Sequence, residues 1–111
     1  MCIFCDIVNG RIPKEFVYQD EDIAAFYDIN PQAPVHILII PKKHITSLNE
    51  LTESDKNLMG NIIVTAKKLA EQHKISVNGY KIVANCGHDG GQVVDHIHFH
   101  LLGGEPLRWP I

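Results

Sequence analysis

The sequence predicts an α+β fold, a largely antiparallel sheet of about five strands with one main helix covering one face. Three observations carry this expectation. Short β-branched and aromatic runs recur between turn residues, one long segment has apolar residues at three- and four-residue spacing, and most neighbouring strands are separated by short turns. A chain of 111 residues can bury one hydrophobic core, so residues 1–111 are expected to form a single domain.

Residues 1–15 mix apolar side chains with Gly10 and Pro13 and keep no period, reading as a short helical turn or an irregular lead-in. Phe16-Val17-Tyr18 and residues 23–27 are β-rich and flank the acidic Gln19-Asp20-Glu21-Asp22, which predicts a hairpin with a loop of about four residues. Asn30, Pro31 and Pro34 make residues 28–34 a shaped loop. Residues 35–40 are β-branched and apolar apart from His36, and Pro41 ends them, so a buried strand carries one imidazole into the basic exit Lys42-Lys43-His44. Thr52 as N-cap, with Glu53 and Asp55 in the first turn, starts the helix. Leu58, Met59, Ile62, Ile63, Ala66, Leu69 and Ala70 form its apolar stripe, which runs to the neighbourhood of His73. Asn78-Gly79 is a turn, residues 80–85 a strand, residues 87–91 a glycine-rich turn and residues 95–102 the last strand, with Trp109-Pro110 in a non-helical tail.

Apolar residues at 45% and charged residues at 21% fit neither a disordered nor a membrane-spanning chain. The longest apolar run, Ile37-Leu38-Ile39-Ile40, falls far short of the roughly 18 residues a span requires. Ten Lys+Arg against thirteen Asp+Glu leave a formal charge of −3, so nucleic acid and anionic lipid are not expected partners and any phosphate must be held locally. Cys2, Cys5 and Cys86 cannot all pair with one another, and the first residues lack a leader pattern, which points to a reducing, cytoplasmic setting.

The unusual entry in the composition is seven histidines, three of them in His96-Ile97-His98-Phe99-His100. On a strand, His96, His98 and His100 would line one face and Ile97, Phe99 and Leu101 the other, with neighbouring imidazoles starting about 7 Å apart. Imidazoles so placed either bind a metal through neutral nitrogens or carry nucleophilic and proton-transfer chemistry near neutral pH. Immediately before them, Gly87, Gly90 and Gly91 form a turn whose amides can converge on an anion, although such turns also serve as plain corners. A phosphate suits a nucleophilic imidazole, because nitrogen can attack phosphorus and form a phosphoramidate that water later cleaves. A zinc hydrolase built on His-x-His is the alternative.

His96-x-His98-x-His100 followed by Leu101-Leu102 resembles the signature of the histidine triad (HIT) superfamily of nucleotide hydrolases and transferases. Residues 26–36, Ile40-Pro41-Lys42-Lys43-His44, Asn85, Asp89-Gly90-Gly91-Gln92 and Trp109-Pro110 resemble its Hint branch. The resemblance implies a homodimer that binds purine nucleoside monophosphates and hydrolyses nucleoside phosphoramidates or aminoacyl adenylates without a catalytic cofactor. It implies His98 as the nucleophile, His100 as the contact to the α-phosphate, and His36 beside the nucleophile tuning its protonation. Asp28 would hold the ribose hydroxyls, Ile29 would line the base pocket, and Asn85, Gly91, Gln92 and Val93 would touch phosphate. Read alone, Asp28 serves also as a turn cap before Asn30-Pro31. Val93 departs from the pattern: eukaryotic Hint proteins resembling this chain carry a serine there, so proton delivery to the leaving amine is expected to be weaker. Other readings are a dinucleoside polyphosphate hydrolase of another HIT branch and a nucleotide-binding interaction protein with little turnover.

Cys2-Ile3-Phe4-Cys5 has the spacing of half a zinc site, and equally of two buried cysteines or a redox pair. Prokaryotic-type HIT proteins that resemble this chain complete an S₂N₂ site with the positions of His44 and His96, which implies structural zinc on Cys2, Cys5, His44 and His96. His73 and His88 read as surface residues, and Cys86 as a small buried hydrophobe.

Overall fold

In the computed structural model, which describes residues 2–108, the chain runs α1 (Ile3–Val8), β1 (Tyr18–Gln19), β2 (Ile23–Tyr27), β3 (Val35–Pro41), α2 (Lys56–Gln72), β4 (Tyr80–Ala84) and β5 (Phe99–Gly103). Trp109 and Pro110 lie outside the described residues. All strand pairings are antiparallel, in the order β1-β2-β3-β5-β4, so β5 inserts between β3 and β4. The expected α+β architecture is the one observed.

β3 is the centre of the sheet because apolar residues occupy both its faces. Ile37 and Ile39 join Phe99, Leu101, Ile62, Ala66 and Leu69 in the core beneath α2. Leu38 and Ile40 join Ala24, Phe26, Phe4 and Ile7 on the opposite face, beneath α1. Each fully buried Ile or Leu contributes about 2 kcal/mol of transfer free energy. The His36 and His100 side chains emerge on the α1 face, since they alternate with Ile37 and with Phe99 and Leu101.

The strand ends of β3, β4 and β5 shift by one residue from the sequence reading, to Pro41, Ala84 and Gly103, and three larger differences each have an identifiable reason. The helix starts at Lys56, because Thr52 caps a 3₁₀ turn, Glu53–Asp55, that precedes it. There the buried Asp55 carboxylate accepts from the Thr52 N–H at 2.9 Å and from Lys43 Nζ at 2.9 Å, which hold its pKa below the usual carboxylate range. The first hairpin pairs only Tyr18 and Gln19 with β2, as the Asp20 carboxylate closes the turn by accepting from the Asp22 and Ile23 amides. The last strand begins at Phe99 rather than residue 95. Continuing the β3–β5 register would place Pro41, which has no N–H to donate, opposite Ile97. Ile97 instead donates its N–H to Ile45 O at 2.7 Å, and Pro41 O accepts from a histidine ring.

His73 is not the bare surface residue expected. Its Nδ1 donates to Leu69 O at 2.9 Å at the end of α2, which leaves Nε2 to accept from Tyr27 Oη at 2.8 Å. The ring thus caps a helix carbonyl and ties α2 to β2. His88 does stand in solvent, next to Asp89.

Candidate active site and metal cluster

The period-two pattern survives the late start of β5. Ile97, Phe99 and Leu101 all face the α2 core, while His96, His98 and His100 lie toward α1, where Phe4 packs edge-on against His96 and His98. His96 and His98 are buried, and the rings of His98 and His100 lie 5.2 Å apart.

Backbone partners fix the ring protons. His98 Nδ1 donates to His96 O at 2.7 Å, so in the neutral ring the lone pair is on Nε2. His36 Nδ1 accepts from the Gln32 N–H at 3.0 Å, which puts its proton on Nε2. That Nε2–H donates to His100 Nδ1 at 2.9 Å, leaving the His100 proton on its own Nε2. Burial lowers the pKa of both His36 and His100. For His100, repulsion from His98 and His36 adds to burial and brings the value to about 4, so the relay is neutral near pH 7. The unit therefore presents one ring nitrogen with a free lone pair, on His98, beside one ring nitrogen with a proton to donate, on His100.

Asp28 takes the turn-cap role and adds a contact to a histidine. Oδ1 accepts from the Asn30 N–H at 2.8 Å, closing the turn, and Oδ2 lies 3.4 Å from His36 Nε2. Asp28, His36 and His100 are close enough to hold a cation, but the Gln32 amide occupies the lone pair of His36 Nδ1, and Nε2 is protonated. The set is a chain of hydrogen-bonded rings beside a carboxylate, with no free lone pair on His36 for a metal. Ile29 stands 83% exposed beside Asp28, an apolar face open to a planar ligand.

On the other side of His98, Cys2, Cys5, His44 and His96 bring one donor atom each within 4.8 Å of one another. His44 Nδ1 and His96 Nδ1 are 3.2 Å apart, and Cys2 Sγ and Cys5 Sγ lie 3.3 Å and 3.6 Å from His96 Nδ1. His96 Nε2 donates to Pro41 O at 2.8 Å, so its Nδ1 carries the lone pair a metal needs. The Cys5 N–H donates to Cys2 Sγ at 3.4 Å, which places the Cys2 sulfur at the start of α1 as its N-cap. Burial, and then the neighbouring Cys2, push the Cys5 thiol upward, a shift that a bound cation would reverse. Two sulfurs and two imidazole nitrogens in this arrangement fit a closed tetrahedral metal site.

With this geometry in hand, the chain matches the HIT domain family over residues 9–107. It belongs to that family. It is 48% identical over 105 residues to the purine nucleoside phosphoramidase of Escherichia coli (strain K12), covering 95% of this chain and 88% of that protein. The crystal structure of a HIT family hydrolase from Legionella pneumophila Philadelphia 1 superposes with a TM-score of 0.96 at 51% identity, covering 99% of this chain and 98% of that one. A histidine triad nucleotide-binding protein from Candida albicans gives a TM-score of 0.84 at 35% identity, covering 100% and 84%. Because the HIT match starts at residue 9, Cys2 and Cys5 lie outside it, and the candidate metal site rests on its own geometry.

Within the HIT domain, the glycine turn is braced from inside. Asn85 Nδ2 donates to Gly90 O at 2.7 Å. The Gln92 side chain accepts from the Gly87 N–H at 2.9 Å and donates to Thr46 O at 2.7 Å and Val94 O at 2.9 Å. Gln92 thus shapes the loop with its side chain, while its own N–H donates to Gly87 O and the Gly91 N–H to His88 O, both at 3.0 Å within the turn. Gly90 is required by contact, since a Cβ there would run into the Cys86 carbonyl oxygen, and Gly91 by its φ of +83°. Cys86 is half-buried under this turn, and Val93 stands 88% exposed.

Proposed function

We propose that this chain hydrolyses purine nucleoside 5′-phosphoramidates or aminoacyl adenylates to the nucleoside monophosphate through a nucleotidyl group carried on His98. The chain is an enzyme, a hydrolase of the HIT family. The observation that carries the reading is the ring pair: His98 with a free lone pair on Nε2, held by His96 O, beside His100 with a proton on Nε2.

His98 Nε2 attacks phosphorus and the bond to the leaving group breaks: in a phosphoramidate the P–N bond, the amine departing with a proton taken from solvent, and in an aminoacyl adenylate the P–O bond, the amino acid departing as its carboxylate. Water then cleaves the phosphorus–nitrogen bond to His98, releasing the nucleotide and restoring the ring. His100 Nε2–H donates to a phosphate oxygen as its charge grows, and His36 holds His100 in that tautomer. Asp28 accepts from the ribose hydroxyls, Ile29 covers the base, and Asn85 with Gly91, Gln92 and Val93 surrounds the phosphate. Zinc on Cys2, Cys5, His44 and His96 supplies structural closure, since four protein donors leave no open position for water. No helix among the described residues is long and apolar enough to cross a membrane, and a cytoplasmic setting would keep Cys2 and Cys5 as thiols. A homodimer is the proposed assembly, supported by the sheet edge at β4 and by exposed Ile63 and Val64 on α2.

The test is a substrate panel with mass spectrometry of the quenched enzyme. Adenosine phosphoramidate should turn over faster than diadenosine polyphosphates, and a nucleotidyl adduct should map to His98. Preference for the polyphosphates would move the protein to another HIT branch; no adduct and no turnover would make it a nucleotide-binding protein. Val93 speaks for that second reading, because it has no hydroxyl to pass a proton to the amine. Val93→Ser should therefore raise kcat on the phosphoramidate about tenfold. The side chain is 88% exposed, so the change disturbs no packing. Equal kinetics for the two proteins would show that the hydroxyl is irrelevant here.

A further inference from the structure

We infer that Phe4 is a positioning residue for His98, and that the Cys2/Cys5/His44/His96 cluster acts on the nucleophile through it. The inference rests on His98 being the nucleophile and adds a part that neither the HIT match nor the metal reading assigns. Phe4 sits between the two cysteines on α1, buried to 6% exposure, and touches both kinds of histidine. Its ring meets His98 edge-on at 5.1 Å with an 80° interplanar angle, and meets His96 at 5.7 Å and 79°. Phe26 supports it from the sheet at 5.7 Å.

The Nδ1 hydrogen bond to His96 O fixes the His98 tautomer but leaves the ring able to swing about that contact. The ring of His100 and the ring of Phe4 are the aromatic walls that limit the swing. His100 is itself held by His36. Phe4 is held by α1, a helix of six residues, too short to persist on its own and tied down by the two cysteines that flank Phe4. Loosening the cluster should therefore loosen the wall, and with it the aim of Nε2 at phosphorus, while leaving the residues proposed to hold the nucleotide in place.

The experiment combines Phe4→Leu and Phe4→Tyr with removal and return of zinc, read by steady-state kinetics and by NMR of the His98 ring protons. Phe4→Leu should lower kcat about tenfold with KM held within about twofold, and Phe4→Tyr, which keeps the ring, should restore the rate. In wild type the His98 protons should carry a ring-current shift that Phe4→Leu abolishes. Chelation of wild type should abolish the same shift and zinc should return it, whereas chelation of Phe4→Leu should lower kcat by no more than about twofold further. A rise in KM alone, or a ring-current shift unchanged by chelation, overturns the inference. Should Phe4→Leu fail to fold, the shift in chelated wild type decides. Absence of a nucleotidyl adduct on His98 in wild type would sink the proposed function instead, leaving the ring contact measurable.

Discussion

Replacing His98 with alanine should lower kcat on an adenosine phosphoramidate by at least about 10³-fold, the scale on which removal of a covalent nucleophile acts. The nucleotide itself should still bind, because Asp28, Ile29 and the glycine turn remain. Alanine also removes the donor to His96 O and leaves that buried carbonyl unpaired, at a cost of about 1–3 kcal/mol. His98→Asn separates these effects, since its amide can donate to the same carbonyl while offering no nucleophile. Both variants should be inactive, and His98→Asn should melt closer to wild type. Single-turnover kinetics with binding measured by calorimetry provide the check. A residual rate above about a tenth of wild type in either variant would mean that the phosphoryl group never rests on His98.

How far the sequence reveals this site depends on whether each feature is local. The face shared by His96, His98 and His100 follows from period two, and it persists outside the hydrogen-bonded ladder because Ile97 is drawn into the core by its own apolarity. The point where β5 begins was not legible, since the missing N–H of Pro41 matters only once the register sets Pro41 opposite Ile97. For Asp28 the turn cap before Asn30-Pro31 was legible, whereas the contact of its other oxygen with His36 exists only once β3 pairs beside the loop. Gln92 could be placed in the loop from the sequence, but its bracing of Thr46 spans 46 residues and is a product of the fold. The same holds for His73, whose partner Tyr27 lies 46 residues away. Phe4 read as one more apolar residue in an aperiodic lead-in, and its contacts with His96 and His98 exist only when α1 docks on the sheet.

Removing zinc should release α1 and lower Tm by about 10 °C, while the core beneath α2 stays folded. The size follows from linkage: a metal present at a few hundred times its dissociation constant stabilises the folded state by about 3 kcal/mol, and a chain of this length loses roughly 4 °C per kcal/mol. The location follows from the packing. The larger core contains residues of β2, β3, α2 and β5 but none of α1. Phe4 and Ile7 belong to the smaller cluster on the opposite face. Without the metal, only the burial of Phe4 and Ile7, worth about 2 kcal/mol each, opposes the entropy of ordering a terminal segment of six residues, and the entropy outweighs it. His96 stays hydrogen-bonded to Pro41 O, so the imidazole side of the cluster should hold while the cysteine side frays. Hydrogen exchange should therefore quicken in residues 3–8 on chelation and remain slow in β3 and β5, with calorimetry giving the drop in Tm. Far less than one zinc per chain in protein purified without chelator would defeat the expectation. So would a Tm that moves by less than about 2 °C, since donors this close would then be satisfied by their own S–H···N contacts alone.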